Sequence, residues 1–483
     1  MSQISQWLAF LLPLVCSMYF FPRWADVNAN SRLDTVLAIV HDGTARIDRY
    51  VHNTVDYAMV DGHYYSDKAP GLALLGVPVY AVAAVALDLP ATRALTERLA
   101  AHDSFRSTLR ADGSGVSNEK VRFALALIWL SFALAAVPTA LICLSMHVHL
   151  RGSGFGYGVA LLAPLIYALA TPAFAYANAF YGHQLAAALL FTAFVLLARR
   201  EKSAHVSIGR AEGACVGLLL GGAVITEYPA VIPAAILFAY AAVLCVRRRA
   251  YVSMAAVIVG GMAMAGVLAA YNTIVFGGPF ELGYARSTLW QSQHSSGLFS
   301  IGYPQPDVLL ELLFGVFRGL FVLSPVLLLV IPGIVVWRCS GESAMQWWVA
   351  VLCSCGMLIF NASSAMWWGG WGVGPRYLLP ALPFAALALP YALRATTAAP
   401  VMMLAVASLL ATWAMTVAGQ TFPSDALRNP WLDHVLPAWT AGDVARSWGT
   451  LVGLRGAAAL VPPVAAIGLS LGGWRVLTRR SRI

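Results

Sequence analysis

The sequence predicts an all-α fold, that of a polytopic integral membrane protein, and three observations predict it. Of its 483 residues 59% are hydrophobic, only 11% are charged, and the mean hydropathy is +0.72. Soluble domains carry about 25% charge, and a surface so poor in charge could not cover a water-exposed chain of this length. The apolar residues also come in runs of roughly 20, the length at which a helix crosses a bilayer core with its backbone groups satisfied internally. A soluble enzyme, a disordered chain and a nucleic-acid-binding domain are excluded.

Twelve spans are expected, near 7–21, 122–146, 156–177, 184–198, 212–228, 230–246, 252–271, 319–337, 345–362, 378–393, 401–419 and 456–474. A thirteenth apolar stretch, 69–87, is treated differently. As a span it would turn the clusters Arg199-Arg200-Glu201-Lys202, Arg247-Arg248-Arg249 and the tail from Arg475 to Arg482 outward. Laid along the interface, it turns all of them inward, in keeping with the positive-inside rule. That solution places both termini in the cytoplasm. It gathers the first outer loop, 22–121, and the loops 272–318, 363–377 and 420–455 on the outer face of a single membrane domain, 1–483. No small-residue cleavage signature follows 7–21, which reads as a retained span. The net charge of +9 thereby finds its place in the inward belt. Cys16, Cys143, Cys215, Cys245, Cys339, Cys353 and Cys355 lie in or beside apolar runs without a CxxC pair, and read as small buried hydrophobes.

The acids are concentrated. Residues 22–68 hold seven of the chain's 22 acidic residues: Asp26, Asp34, Asp42, Asp48, Asp56, Asp61 and Asp67. Leu33, Val36, Leu37 and Val40 recur at helical spacing and predict an amphipathic helix on the membrane, capped by Asn30 or Ser31, with Asp34 near its start. Asp42, beside Gly43, and Asp61, in Asp-Gly, read as a cap and a turn former. Asp67 and Lys68 directly precede the Pro70-Gly71 turn into 69–87. That junction holds an acid and a cation at headgroup depth, where Lys68 can meet a lipid phosphate as a point charge.

This layout resembles the GT-C glycosyltransferases: a first span, a long outer loop with an early Arg32/Asp element, then the aromatic–acid–Lys–Pro element Tyr64-Tyr65-Ser66-Asp67-Lys68-Ala69-Pro70. The protein O-mannosyltransferases and lipid A aminoarabinose transferases are the nearest in pattern. Two later elements, Tyr271-Asn272…Phe276-Gly277-Gly278-Pro279-Phe280 and Trp367-Trp368-Gly369-Gly370-Trp371-Gly372-Val373-Gly374-Pro375-Arg376-Tyr377, look like outer-loop elements of bacterial members. The resemblance implies a polyprenyl-phosphate sugar donor, a catalytic Asp in the first outer loop, inversion at the anomeric carbon, and an interfacial helix after the Lys-Pro element. Two departures stand out. Family members carry Asp-Glu just before the early Arg, whereas Asn28-Ala29-Asn30-Ser31 precedes Arg32 here, so Asp34 is favoured as the base with Asp26 behind it and Asp67 a third candidate. Where many relatives have a second acid, this chain has Tyr181-Gly182-His183-Gln184.

The implied chemistry sets two requirements. An acceptor hydroxyl must lose its proton to a carboxylate, and the departing phosphate must meet cations. Lys68, Arg32, Arg318 and Arg376 are the expected phosphate ligands. Glu227, an acid at the outer end of an apolar helix, is a functional candidate by position. His63, Tyr64, Tyr65, His183 and Trp371 join it as expected sugar or acceptor contacts. A divalent cation, Mg or Mn, stays open as a cofactor. The expected partners are the donor lipid and a glycan, lipid or protein acceptor, with no nucleic acid. The setting is the bacterial inner membrane, with the site facing the periplasm. The alternative is a transporter or flippase, which would place charges at mid-membrane on broken helices.

Overall fold

Prolines and glycines set where the helices of this chain break. The structure, a computed structural model, describes residues 2–101, 117–203, 208–294 and 300–480. All twelve expected spans fall on helix. Seven of them are long and apolar enough to cross a membrane unaided: Glu119–Gly152, Gly182–Lys202, Tyr228–Arg247, Tyr251–Phe276, Ala344–Ser363, Ala398–Val417 and Gly456–Trp474. The others are shorter or broken. Gln3–Met18, Tyr157–Leu169 and Pro325–Cys339 are short apolar helices, and Arg376–Ala386 bends by 50° into Leu389–Ala395. Arg210–Thr226 completes the set. The breaks lie at or just before Pro172, Pro325 and Pro390, residues that lack a backbone donor and are best tolerated in a helix's first turn. Counting each bent pair as one span gives up to nine candidates among the described residues.

The helix pair Arg210–Thr226 and Tyr251–Phe276 is the tightest. A Cβ on Gly217 would collide with the Val257 carbonyl, and one on Gly260 with the Ala214 carbonyl, so small residues let these backbones touch. Of the cysteines, Cys16, Cys143, Cys245 and Cys353 are buried as expected. Cys215, Cys339 and Cys355 are exposed on outward helix faces, a correction that follows from a chain whose apolar surface is itself outward.

The clusters at 199–202 and 247–249 share one end; the side chains of the tail from Arg475 to Arg482 lie outside the described residues. Glu201 accepts from the Tyr240 hydroxyl at 2.7 Å, the Ser343 hydroxyl at 2.5 Å and the Gln346 amide at 2.8 Å. Arg248 donates to the Arg200 carbonyl at 2.6 Å and Lys202 to the Ser153 hydroxyl at 2.6 Å. We call this the basic end.

The first loop folds at the opposite end. It comprises helix α1's exit (α1, Ser2–Met18), helix α2 (Val27–Asp42), a two-stranded hairpin, β1 (Ala58–Val60) and β2 (His63–Tyr65), then α3 (Gly71–Leu87) and α4 (Pro90–Ala100). Asp61 and Gly62 turn the hairpin with φ of 51° and 80°, the left-handed pair that a two-residue turn requires. Helix α3 does not traverse. Its start lies against Ile225 and Thr226, at the end of Arg210–Thr226 far from the basic clusters. Its last turn meets Arg122, near the start of Glu119–Gly152, where Arg122 pairs with Asp88 at 2.8 Å. Both of its ends therefore stay at one end of the bundle, and α3 and α4 meet at 88°.

Candidate active site

Helix α2 corrects the amphipathic expectation. Its cap is Asp26, not Asn30 or Ser31. The Asp26 carboxylate accepts from the Asn28 and Ala29 backbone N–H groups, both at 3.1 Å, where the helix dipole favours an anion. Every residue from Asn28 to Ala38 is buried, so α2 is wedged into the protein rather than floated on a membrane. Asp34 consequently sits two turns inside the helix, wholly buried. It accepts from the Asn53 amide at 3.2 Å, and its second oxygen has no hydrogen-bond partner. Burial holds its pKa well above the usual carboxylate range.

Asp26 opens into a cavity of about 270 Å³ at the end far from the basic clusters. Its carboxylate accepts from the Tyr181 hydroxyl as well as from the helix. Burial raises its pKa, while those hydrogen bonds and the nearby Arg376 and Arg23 pull the other way. Four cations line the same cavity: Arg23, Arg32, Lys68 and Arg376.

Each cation is held differently. Lys68 lies between two buried carboxylates, 2.7 Å from Asp56 and 2.9 Å from Asp67. Burial alone would lower its pKa, but these two acids reverse that and raise it, so it is a fixed positive charge. Arg32 pairs with Glu227 at 3.1 Å, and His183 Nδ1 lies 3.5 Å from the same oxygen. Glycine is required at 182, because a Cβ there would stand 2.5 Å from that Glu227 oxygen. Arg23 lies over the Phe422 ring at 4.3 Å and donates to the Thr416 carbonyl. Arg376 donates to the Trp371 carbonyl at 3.2 Å, and its Nε has no partner. Its guanidinium lies 5.4 Å from the Tyr181 ring and 5.7 Å from the Tyr377 ring.

The loop that delivers Arg376 and Trp371 explains Arg318. Gly369, Gly370 and Gly374 take φ of 71°, 68° and 64°, so the chain coils back on itself. Arg318 then donates from all three nitrogens to the carbonyls of Trp368, Gly370 and Gly372, at 3.0, 2.6 and 2.7 Å. Tyr176 clamps Val373, accepting from its N–H at 3.0 Å and donating to its carbonyl at 3.2 Å. Arg318, expected at the phosphate, is instead the organiser of this loop: three of its five N–H donors go to backbone carbonyls, and it does not line the cavity.

Of the residues singled out in the sequence, Asp26, Arg32, Lys68, His183, Glu227, Trp371 and Arg376 line the one cavity. Asp34, Asp67 and Arg318 do not. His63 pairs with Asp48 at 2.7 Å, Tyr64 stacks edge-on against Tyr57, and Tyr65 accepts from Arg46 at 3.2 Å, so all three hold the hairpin rather than the cavity. Arg23, Asn28, Asp56, Tyr181, Tyr284, Tyr377 and Asp425 also line it. Of these, Arg23 and Tyr181 carried a readable signal, a cation just past the first span and an aromatic two residues before His183.

Asp56 and Asp67 are engaged by Lys68 and Glu227 by Arg32, and no group of three or more His, Cys, Asp or Glu is placed to hold a metal among the described residues.

No family model and no curated protein matches the chain. Two solved structures are among those similar to it. One is ArnT from Cupriavidus metallidurans bound to undecaprenyl phosphate, at 13% identity and TM-score 0.48, over 82% of this chain. The other is the oligosaccharyltransferase of Archaeoglobus fulgidus in the apo form, at 11% identity and TM-score 0.40, over 86% of this chain. The matches span 60% and 54% of those proteins' lengths.

Proposed function

We propose that the protein is a membrane glycosyltransferase that moves a sugar from a polyprenyl-phosphate donor to an acceptor hydroxyl, with Asp26 as the general base. One observation carries the reading: a helix-capping carboxylate faces Arg23, Arg32, Lys68 and Arg376 across a single cavity at one end of a membrane bundle. The acceptor oxygen attacks the anomeric carbon and gives its proton to Asp26. The bond from that carbon to the phosphate oxygen breaks, and the phosphate leaves with the electron pair. Attack from the face opposite the leaving group inverts the centre. Arg376 and Lys68 meet the charge that develops on the phosphate, where a preorganised cation in a water-poor cavity acts most strongly. Trp371 is placed to stack on the sugar. The sugar is a hexose or a pentose. The basic end faces the cytoplasm by the positive-inside rule, which turns the cavity to the periplasmic side of a bacterial inner membrane.

The experiment deletes the gene in the source organism and complements it with wild type or Asp26→Asn. Envelope glycans and lipid-linked sugars are then profiled by mass spectrometry. Loss of one sugar from the envelope, with accumulation of its polyprenyl-phosphate form in both the deletion and the Asp26→Asn strain, is the expected result. An unchanged envelope in the deletion strain overturns the reading.

A further inference from the structure

Helix α2 has a second cavity on its other side. It measures about 780 Å³ and is lined by Trp24, Ala25, Asn30, Leu37 and His41, together with residues of the following turn, α3 and the start of Glu119–Gly152. Asn30, Leu37 and His41 recur at i, i+7 and i+11, one stripe of the helix, whereas Asn28 and Arg32 on the opposite stripe face the donor cavity. Ala25 lines both cavities, so the residue before Asp26 stands between them.

The walls of this cavity are those of a hydroxyl-binding cleft. Trp24, Tyr50, Tyr80 and Phe123 supply aromatic faces, and Asn30, Asn53, His41 and His52 supply uncharged polar groups. The Asn30 amide nitrogen is fixed by the Trp24 and Asn53 carbonyls, both at 2.9 Å, and its side-chain oxygen is buried without a partner. A buried acceptor left unsatisfied is costly, and a ligand hydroxyl would satisfy it. Four cations stand in the lining, Arg49, Lys120, Arg122 and Arg446; Arg49 pairs with Asp42 and Glu119 at 3.3 and 3.2 Å, and Arg122 with Asp88 at 2.8 Å. The aromatic faces and the buried Asn30 acceptor call for a ligand that donates hydroxyls, as a polyol does. The volume exceeds what one sugar needs.

We propose that this cavity is the acceptor cleft and takes a saccharide of several units, its reactive hydroxyl passing Ala25 to reach Asp26. The inference rests on the donor reading of the smaller cavity. The hydroxyl forms the new bond to the anomeric carbon, its proton goes to Asp26, and the lipid phosphate leaves with the electron pair.

The test uses the full-length protein in two settings. In nanodiscs, a short-chain polyprenyl phosphate probes the donor cavity of wild type, His41→Ala/Phe123→Ala and Phe123→Tyr. In the complemented deletion strain, the same variants are scored for the sugar restored to the envelope and for whether it enters saccharide or protease-sensitive material. The expected result is unchanged lipid-phosphate binding by the double variant, at least tenfold less sugar transferred, and near-normal transfer by Phe123→Tyr. Full transfer by the double variant overturns the acceptor cleft while leaving the transferase reading intact. Sugar found on protein overturns the saccharide class. No transfer by the wild type overturns the transferase reading and this inference with it. Loss of lipid-phosphate binding in the double variant also overturns it, because the two cavities would then not be separate sites.

Discussion

The Tyr181 hydroxyl lies 2.9 and 3.0 Å from the two carboxylate oxygens of Asp26, its ring beneath the Arg376 guanidinium. That hydrogen bond favours the ionised carboxylate, opposing the burial that raises the Asp26 pKa. A base must be deprotonated to act, so transfer should fall as pH drops through the Asp26 pKa. In Tyr181→Phe the carboxylate keeps its burial and loses this donor, and its pKa rises further. A hydrogen bond to a charged group contributes about 1.5–3 kcal/mol, and one pKa unit is about 1.4 kcal/mol. The acid limb of kcat/KM should therefore move up by about one to two pH units. A pH–rate profile of the purified variant reads this directly, and an unmoved limb shows that Asp26 is not the titrating group.

Asp26 and Asp34 are separated by comparing Asp26→Asn with Asp34→Asn. The first removes the proposed base and should cost roughly 10²–10⁴-fold in transfer, with donor binding kept. The second should leave transfer near wild type, because Asp34 does not line the cavity. It should also change stability with a defined sign. The Asp34 pKa is raised well above the unfolded value by burial, so wild-type stability declines as pH rises from the ordinary carboxylate range toward the folded value. Asparagine cannot ionise and keeps an oxygen for Asn53. The melting temperature of Asp34→Asn relative to wild type should therefore climb with pH, which thermal unfolding from acid to alkaline buffer will show.

Why was Asp34 favoured in the sequence, and Asp26 fronts the cavity? Leu33, Val36, Leu37 and Val40 give an apolar stripe that locates α2, but its start is coded in polar residues. Asn28, Asn30 and Ser31 are buried because they bond to the protein around them: Asn30 to Trp24 and Asn53, Ser31 to Ser66 at 2.8 Å. A pattern read from hydrophobicity stops where polar burial begins. The same holds for Asp56, which reaches Lys68 only through the fold of the hairpin, and for Arg318, whose three carbonyl partners lie 50 to 54 residues away. The apolar helices, the shared end of the clusters at 199–202 and 247–249, and an α3 whose two ends stay at one end of the bundle were legible because apolar length and charge sign are additive along the chain. The pairing of buried charges is not.

Arg376 and Arg318 should fail in different ways. Arg376→Ala removes an arginine whose Nε has no partner beside the cavity. It should weaken binding of a polyprenyl phosphate by about ten- to a hundredfold, the effect of about 1.5–3 kcal/mol for a charge-assisted contact. Arg376→Lys should recover part of the affinity but not the geometry. Arg318→Ala leaves three buried carbonyls unsatisfied. Its signature is a lower melting temperature and altered tryptophan fluorescence from Trp367, Trp368 and Trp371. Lipid-phosphate titration and thermal unfolding on both variants will distinguish ligand from scaffold.

Glu227 and Arg32 form a buried ion pair at 3.1 Å, with the two side chains 5% and 3% exposed. Removing one member strands the other charge, which costs about 3–5 kcal/mol. Arg32→Met should therefore destabilise strongly, and so should Glu227→Met. The double variant Arg32→Met/Glu227→Met should be more stable than either single one, because no unpaired charge is left inside. Transfer should not recover with it, since Arg32 lines the donor cavity. A double-mutant cycle on unfolding, run beside transfer on the same samples, separates the two contributions. If stability and transfer recover together, Arg32 serves the fold alone and the donor phosphate rests on Lys68, Arg23 and Arg376.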